Sequence, residues 1–175
     1  MREETLRKLI EEVPDFPSPG VSYKDITPLL ADPTGFSAAL DALAERVAAA
    51  NPVAVLAIES RGFIFGAAVA DRLHLPLHLV RKRGKLPRRA VGVAYELEYG
   101  EDHLEVHADA LQAGSGYAVI DDVLATGGTA AAVADLVEAE GGVVAILSFL
   151  IEISALHGRE RLGNRPVASV LQFSD

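Results

Sequence analysis

The sequence predicts an α/β fold in which a mainly parallel, twisted sheet is covered by helices on both faces. Apolar runs of strand length alternate with helical patterns from residue 36 to residue 153. Two of these runs, ending at Ile58 and Ile120, are continuously apolar, as in strands buried on both faces of a parallel sheet. Each of the two is followed by a polar loop and a helical pattern, so the chain repeats a strand–loop–helix unit.

The N-terminal segment predicts a short helix followed by an ordered loop. Residues 3–12 have an amphipathic helical pattern, which Pro14 ends. Residues 15–29 are punctuated by proline, which favours an ordered loop with extended pieces over a helix. Phe16 and Tyr23 lie in this loop, where an aromatic ring either stacks on a flat heterocycle or fills the core.

The first strand–loop–helix unit begins after a capped helix. Asp32 and Pro33 predict the start of that helix, with the aspartate as N-cap, and the helix runs to about Ala50. Residues 53–58 predict a buried strand, and a polar loop containing Arg61 leads into the next helix. The Arg61 guanidinium could neutralise a phosphate, or it could form a surface ion pair.

The stretch from residue 117 to residue 129 carries the most specific signal. A buried strand is followed by two acids, Asp121 and Asp122, and then by a small, flexible, hydroxyl-rich loop. That loop comprises Ala125, Thr126, Gly127, Gly128 and Thr129. It precedes an alanine-rich helix over residues 130–139. The first turn of such a helix offers free N–H groups and a positive dipole end, which bind phosphate.

Two carboxylates before a phosphate loop suit the vicinal hydroxyls of a ribose 5-phosphate. The loop has neither the lysine of a Walker A motif nor the spacing of a dinucleotide fingerprint. The alternative is a plain strand end with a turn and a helix cap.

The remaining elements follow in order along the chain. We expect Gly141 and Gly142 to close the central helix. The pattern predicts further strands over residues 77–80, 93–100, 104–106, 143–153 and 167–171.

Composition and charge narrow the class of protein. The 175 residues are 50% hydrophobic, enough for one domain with a proper core. No apolar run reaches the ~18 residues that cross a bilayer, the charged N-terminus lacks a signal-peptide core, and there is no cysteine. We therefore expect a cytoplasmic enzyme of one domain, residues 1–175. The five histidines show no ligand spacing, so we expect no metal site built from side chains.

The net charge of −9 argues against nucleic-acid binding, and we expect no membrane partner. Six basic residues nevertheless cluster between Arg81 and Arg89. A local cationic segment on an acidic protein indicates a small anionic ligand such as a polyphosphate. A solvated charge run is the alternative.

The string from Asp121 to Thr129 closely resembles the phosphoribosyl-diphosphate (PRPP) motif of the type I phosphoribosyltransferases, in the form of their adenine branch. Further motifs similar to that family stand in the expected order over residues 16–28, 59–63, 81–87 and 98–100. The resemblance implies the type I fold, with an N-terminal helix and hood in residues 1–34 and a core in residues 35–175. It also implies a flexible loop over residues 81–92.

The resemblance implies an activity: adenine and PRPP give AMP and diphosphate, with Mg²⁺ held mainly by substrate and water. It implies that Asp121 and Asp122 bind the ribose and that residues 125–129 bind the 5-phosphate. The implied diphosphate ligands are Glu59, Ser60, Arg61, Arg81, Lys82 and Lys85. It further implies a non-proline cis peptide between Glu59 and Ser60, and a homodimer with the loop near the partner subunit.

The resemblance places the base between the hood and a later aliphatic side chain. The implied adenine-binding residues are Val21, Tyr23, Lys24 and Leu156. Glu98 would be the catalytic acid or base, although a surface carboxylate is the alternative. The chain departs from the family pattern at Tyr23, where phenylalanine is usual, and at Arg88, where glycine is frequent.

Three other functions remain open from the sequence. The protein could act on guanine, xanthine or hypoxanthine, but the hood and the Glu-Tyr-Gly triplet at residues 98–100 favour adenine. A regulator that senses PRPP would usually carry a nucleic-acid-binding domain or a basic face. A nucleotide-binding module without turnover would not need the basic loop or Glu98.

Overall fold

A computed structural model describes residues 3–96 and 101–174. The N-terminal elements are α1 (Glu3–Arg7), β1 (Glu11–Val13), β2 (Tyr23–Asp25), α2 (Thr27–Ala31) and α3 (Pro33–Ala49). The central elements are β3 (Ala54–Ile58), α4 (Gly62–Leu73), β4 (Leu77–Lys82), β5 (Ala90–Glu96) and β6 (Glu101–His107). The last elements are β7 (Gly116–Leu124), α5 (Gly128–Ala139), β8 (Val143–Ile153), α6 (Gly158–Arg161) and β9 (Val167–Phe173).

The central sheet has seven strands in the order β5-β6-β4-β3-β7-β8-β9. The five strands from β4 to β9 in that order pair in parallel, and the β5–β6 hairpin adds antiparallel strands at the β4 edge. The predicted α/β class with a mainly parallel sheet is therefore confirmed.

Helices cover both faces of this sheet because side chains alternate along each buried strand. On one face, Val55 and Ile120 pack with α3 and α4, including Phe65. On the other face, Leu56 and Val119 pack with α5. The sheet therefore separates two hydrophobic cores. None of the helices within residues 3–96 and 101–174 combines the length and the apolar character needed to cross a membrane.

Two predicted helix boundaries are confirmed. The Asp32 side chain accepts a hydrogen bond from the Gly35 amide at 2.7 Å, so it caps α3. At the end of α5, Gly141 takes a left-handed conformation with φ of 81°. The Gly142 amide then bonds the Val137 carbonyl at 2.9 Å, which closes the helix as in a Schellman motif.

The N-terminal helix is shorter than predicted. It ends at Arg7, and residues 11–13 instead form β1, which pairs antiparallel with β2. An isolated helix of this length is marginal, so backbone pairing with the hood determines the conformation. The predicted loop also contains a helical turn, α2, because Pro28 is tolerated in the first turn of a helix.

Strand β7 extends further than predicted. Its pairing with β3 ends at Ile120, but its pairing with β8 continues from Asp121 to Leu124. The long strand β8 supplies the extra backbone partners. Asp121 and Asp122 therefore lie within a strand rather than after it, just beyond the last residue of β7 that pairs with β3.

Candidate active site

The loops after β3 and β7 meet at the carboxyl edge of the sheet, because these strands are parallel neighbours. Gly62, the first residue of α4, allows the close approach. A Cβ at this position would lie 2.8 Å from Asp121 Oδ1 and 2.9 Å from the Ile120 carbonyl oxygen. The start of α4 is thus placed directly against the acidic pair.

The loop before α5 has the geometry of an anion site. Gly127 is the N-cap of α5 in a left-handed conformation, with φ of 80°, and no side chain caps the helix. The amides of the first turn consequently lack a side-chain acceptor, and an anion can take that place. Thr126 is exposed at the same loop, so its hydroxyl is available to a ligand.

The acidic pair holds two different carboxylates. Asp122 is buried and accepts a hydrogen bond from Arg61 Nε. Asp121 Oδ1 accepts a bond from the Asp122 amide at 2.8 Å. Burial, together with the negative charge of Asp122, raises the pKa of Asp121 well above its usual value. A hydrogen-bond donor placed beside Asp121 would offset this cost of ionisation.

Arg61 links the acidic pair to the hood. Its side chain is 44% exposed. Burial opposes the charge of Arg61, but the hydrogen bond to Asp122 and the nearby negative charges of Asp122 and Asp121 together outweigh this effect and raise the Arg61 pKa. The Arg61 Cζ atom lies 5.5 Å from the centre of the Tyr23 ring, within cation–π range. Tyr23 in turn meets Phe16 edge to face, with ring centres 5.1 Å apart.

Glu59 fixes the start of the basic loop. Its carboxylate accepts bonds from Arg81 Nε at 3.1 Å and Nη2 at 3.4 Å, and from the Lys82 amide at 3.1 Å. Burial opposes ionisation of Glu59, but these bonds outweigh it and lower the Glu59 pKa. The peptide bond between Glu59 and Ser60 is cis, as the family resemblance implies.

The basic loop itself is shorter than the predicted range of 81–92. Arg81 and Lys82 belong to β4, and β5 begins at Ala90. Lys82 Nζ lies 3.0 Å from Asp102 Oδ2, and the Arg81 Nη1 atom donates to the Lys85 carbonyl at 3.1 Å. Arg81 and Lys82, where this loop begins, are therefore held by two acidic partners, Glu59 and Asp102.

The residues predicted to bind adenine lie in different surroundings. Val21 and Leu156 are 41% and 46% exposed, so each can contact a ligand. Lys24 is buried, lies 3.1 Å from Glu12 and sits 5.1 Å from the centre of the Phe173 ring. Lys24 and Tyr23 are adjacent along β2, so the Lys24 side chain faces away from the Tyr23 ring. Glu98 lies outside the described residues.

Sequence reasoning missed a support for the loop of residues 125–129. The backbone of Gly158 lies against that of Gly127, so closely that a Cβ on either residue would overlap the other segment. Nearby, the buried Glu152 pairs with Arg159. A lone glutamate in the apolar run of β8 was the available signal, because buried acids are almost always paired.

Comparison with known proteins agrees with this geometry. The sequence pattern of the family described as "Phosphoribosyl transferase domain" matches residues 25–163. The fold and the site therefore define the chain as a phosphoribosyltransferase.

The relatives narrow this class. Adenine phosphoribosyltransferase of Carboxydothermus hydrogenoformans is 50% identical over 168 residues, which cover 96% of this chain and 99% of that protein. That of Chloroflexus aurantiacus is 51% identical over 173 residues, covering 99% of this chain and 100% of the relative. The chain belongs to the adenine phosphoribosyltransferase family.

Solved structures give the same result. The crystal structure of adenine phosphoribosyltransferase from Thermoanaerobacter pseudethanolicus superposes with a TM-score of 0.94 at 43% identity, covering 98% of this chain and 100% of that one. The enzyme of Saccharomyces cerevisiae, solved with an imino-altritol bisphosphate and adenine, has a TM-score of 0.90 at 36% identity. The match covers 97% of this chain and 98% of that one. The predicted family and fold are confirmed.

Proposed function

We propose that this protein transfers the 5-phosphoribosyl group from PRPP to adenine, which gives AMP and diphosphate. The observation that carries the proposal is the meeting of three groups at one edge of the sheet. These groups are the uncapped N-terminus of α5, the acidic pair Asp121–Asp122 and the guanidinium of Arg61. Relatives with about half of their residues identical are adenine phosphoribosyltransferases, and the yeast relative was solved with adenine.

In this proposal, the β7–α5 unit binds the phosphoribosyl group. The backbone amides of residues 125–129, with the hydroxyls of Thr126 and Thr129, bind the 5-phosphate. Asp121 and Asp122 accept hydrogen bonds from the ribose hydroxyls. Substitution at the anomeric carbon passes through an oxocarbenium-like state, so two carboxylates beside the ribose also favour the developing positive charge.

The diphosphate binds on the opposite side of the ribose from the 5-phosphate. Its proposed ligands are the side chains of Arg61, Arg81, Lys82 and Lys85 with the backbone of Glu59 and Ser60. Arg81 is paired with Glu59 and Lys82 with Asp102. A diphosphate would compete with these carboxylates, and the basic loop would then close over the site and exclude water.

Adenine is proposed to bind between the hood and the 3-10 turn Ser154–Leu156, which follows β8. Tyr23 offers an aromatic face, while Val21 and Leu156 offer exposed apolar surface. Because the Lys24 side chain is committed to Glu12, its backbone is the part available to the base edge. Glu98 stays a predicted acid or base.

Magnesium is proposed as the cofactor. In residues 3–96 and 101–174, no group of three or more His, Asp and Glu side chains is arranged to hold a metal ion. The donor set that fits best is Asp121 with Asp122, acting through the ribose hydroxyls, and the other ligands would be diphosphate oxygens and water. When bound, Mg²⁺ would neutralise charge on the departing diphosphate.

A homodimer is also proposed. Leu77 and Leu79 on β4 and Ile64 on α4 are all exposed, although they are large and apolar. Leu77 and Leu79 share one face of β4 with Arg81. A partner subunit covering this face would therefore lie next to a proposed diphosphate ligand. Sedimentation analysis of the purified protein and of a Leu79→Glu variant tests this, since the variant should be monomeric.

The cytoplasmic location is proposed as well. Substrate and products carry several phosphate charges, and such ions do not cross a bilayer unaided. The enzyme is therefore expected where PRPP is made.

The test of the activity is formation of the matching nucleoside monophosphate and diphosphate from PRPP and Mg²⁺, with adenine, guanine, hypoxanthine and xanthine supplied separately. We expect turnover with adenine alone. Turnover only with a 6-oxopurine would retain the PRPP site but contradict the assignment of the hood. Binding of PRPP without any turnover would instead indicate a regulator.

A further inference from the structure

Glu152 is a buried acid near the end of an otherwise apolar strand. It is 6% exposed. Its Oε1 accepts a bond from Arg159 Nε at 2.9 Å, and its Oε2 accepts bonds from Arg159 Nη2 at 2.6 Å and from Ser169 Oγ at 2.6 Å. The Arg159 bonds lower the pKa of Glu152 although burial opposes its ionisation. This bidentate, charged pair is therefore formed at neutral pH and rigid.

Arg159 transmits this rigidity to α6. Its Nη1 atom also donates to the Val167 carbonyl at 3.0 Å, so one guanidinium joins α6 to both β8 and β9. The residue just before it is Gly158, which begins α6. Leu162, at the other end of this turn, is fully buried. The turn is thereby fixed at both ends.

Gly158 lies directly behind the phosphate loop. A Cβ on Gly158 would overlap the carbonyl of Ala125, and a Cβ on Gly127 would overlap the carbonyl of Gly158. The contact is between two backbones, with no flexible side chain to absorb a displacement. A shift of α6 would therefore shift the loop that begins α5.

We infer that Glu152 and Arg159 are positioning residues for the phosphate loop: together they fix Gly158, and Gly158 fixes the backbone from Ala125 to Gly127. The inference rests on the proposed function, because it concerns the proposed 5-phosphate site. Neither side chain needs to touch the substrate. Displacing a binding loop by a fraction of an ångström is costly, because binding and transfer require the phosphate and the anomeric carbon to be held in one geometry.

The experiment measures the two halves of the PRPP site separately. Calorimetry with ribose 5-phosphate measures the affinity of the phosphate loop for its ligand. Calorimetry with diphosphate measures the affinity of the basic side chains for theirs. The variants are Glu152→Gln and Arg159→Lys. The control is Arg165→Lys, which breaks a similar bidentate pair at the far end of α5. There Arg165 Nε donates to Glu138 Oε1 at 2.8 Å and Arg165 Nη2 donates to Glu138 Oε2 at 2.7 Å.

We expect both test variants to bind ribose 5-phosphate about 10-fold to 100-fold more weakly, with diphosphate binding changed less than about twofold and the KM for PRPP raised. The control should bind both ligands like the wild type. Equal weakening of both ligands, or a similar loss in Arg165→Lys, would contradict the inference, since global destabilisation would explain it. Unchanged binding in the test variants would contradict it as well.

Two further outcomes are decisive. If Glu152→Gln does not fold, Arg159→Lys decides, because it keeps the charge on a side chain that is 44% exposed. If the wild-type protein itself fails to bind ribose 5-phosphate, the proposed 5-phosphate site is wrong, and this inference is wrong with it. Wild-type binding together with unaffected variants rejects the positioning role alone.

Discussion

Arg61 and Asp122 form an ion pair that joins the residue before α4 to strand β7, 61 positions further along the chain. Asp122 is the buried partner, and its carboxylate is the acceptor that holds the guanidinium at the edge of the sheet. The same guanidinium lies over the Tyr23 ring. The Arg61 side chain therefore contacts both the acidic pair and the hood. A ligand that attracts Arg61 would alter its contacts with both.

The first prediction concerns Asp122→Asn. Removing this charge leaves Arg61 without its ionic partner and the ribose with a weaker acceptor, and a charged hydrogen bond contributes about 1.5–3 kcal/mol. We expect kcat/KM for PRPP to fall about 10-fold to 100-fold. Steady-state kinetics measure this. Asp41→Asn is the control, since it breaks an ion pair with Arg72 away from the site, and an equal loss there would refute the assignment.

The second prediction concerns Gly62→Ala. The added methyl group would lie 2.8 Å from Asp121 Oδ1, too close for any real Cβ, so the start of α4 or the acidic pair must move. We expect a folded protein with kcat/KM for PRPP lowered about 100-fold.

Gly116→Ala is a matched control for Gly62→Ala, because its Cβ would meet only Ala145 Cβ, at 3.4 Å. Both variants should retain the circular dichroism of the wild type. If Gly62→Ala were as active as Gly116→Ala, the close approach would have no role in the site.

The third prediction concerns pH. The Asp121 pKa is raised by burial and by Asp122, so ionisation of Asp121 destabilises the folded protein. This penalty is absent below the unfolded pKa of about 3.9 and grows as pH rises toward the higher folded value. Asp121→Asn should therefore melt higher than the wild type at pH 8, by about 2–4 °C per kcal/mol removed, and melt alike near pH 3.

The activity of Asp121→Asn should fall, although its melting temperature at pH 8 should rise. The amide that replaces the Asp121 carboxylate is neutral and donates as well as accepts, so the ribose hydroxyls lose an anionic acceptor and turnover should fall. Melting curves by circular dichroism across pH 3–8, paired with AMP assays, measure both effects. A lower melting temperature for Asp121→Asn at pH 8 would show that the carboxylate stabilises the fold instead.

The fourth prediction concerns Arg88, which lies in the basic loop. Arg88 Nη1 lies 2.7 Å from Asp109 Oδ2, and both side chains are largely exposed. Surface pairs contribute little, so we expect Arg88→Gly to lower the KM for PRPP by no more than about threefold, by releasing the basic loop. Asp109→Asn breaks the same pair and should have the same effect. The change in KM caused by either substitution should also disappear in high salt. If the two substitutions changed the KM differently, the Arg88–Asp109 ion pair would not be the cause.

The position of the candidate site along the chain was predictable because many of its residues are close together in the sequence. The acids, the Gly127–Gly128 turn and the following helix are contiguous, so their order alone indicates a phosphate loop. The basic partners were less predictable. Nothing near Arg81 in the sequence indicates that Glu59 would hold it, because the contact depends on β3 and β4 being neighbours.

By itself, the sequence determined the strand–loop–helix order, the buried strands, the helix caps at Asp32 and Gly141, and the family. Each of these depends on neighbouring residues, whose periodicity and backbone preferences act over a few positions. Only the tertiary structure decided that residues 11–13 form a strand, that Asp122 meets Arg61 and that Gly158 supports Gly127. These contacts join distant segments, and the packing of the whole sheet determines which distant segments meet.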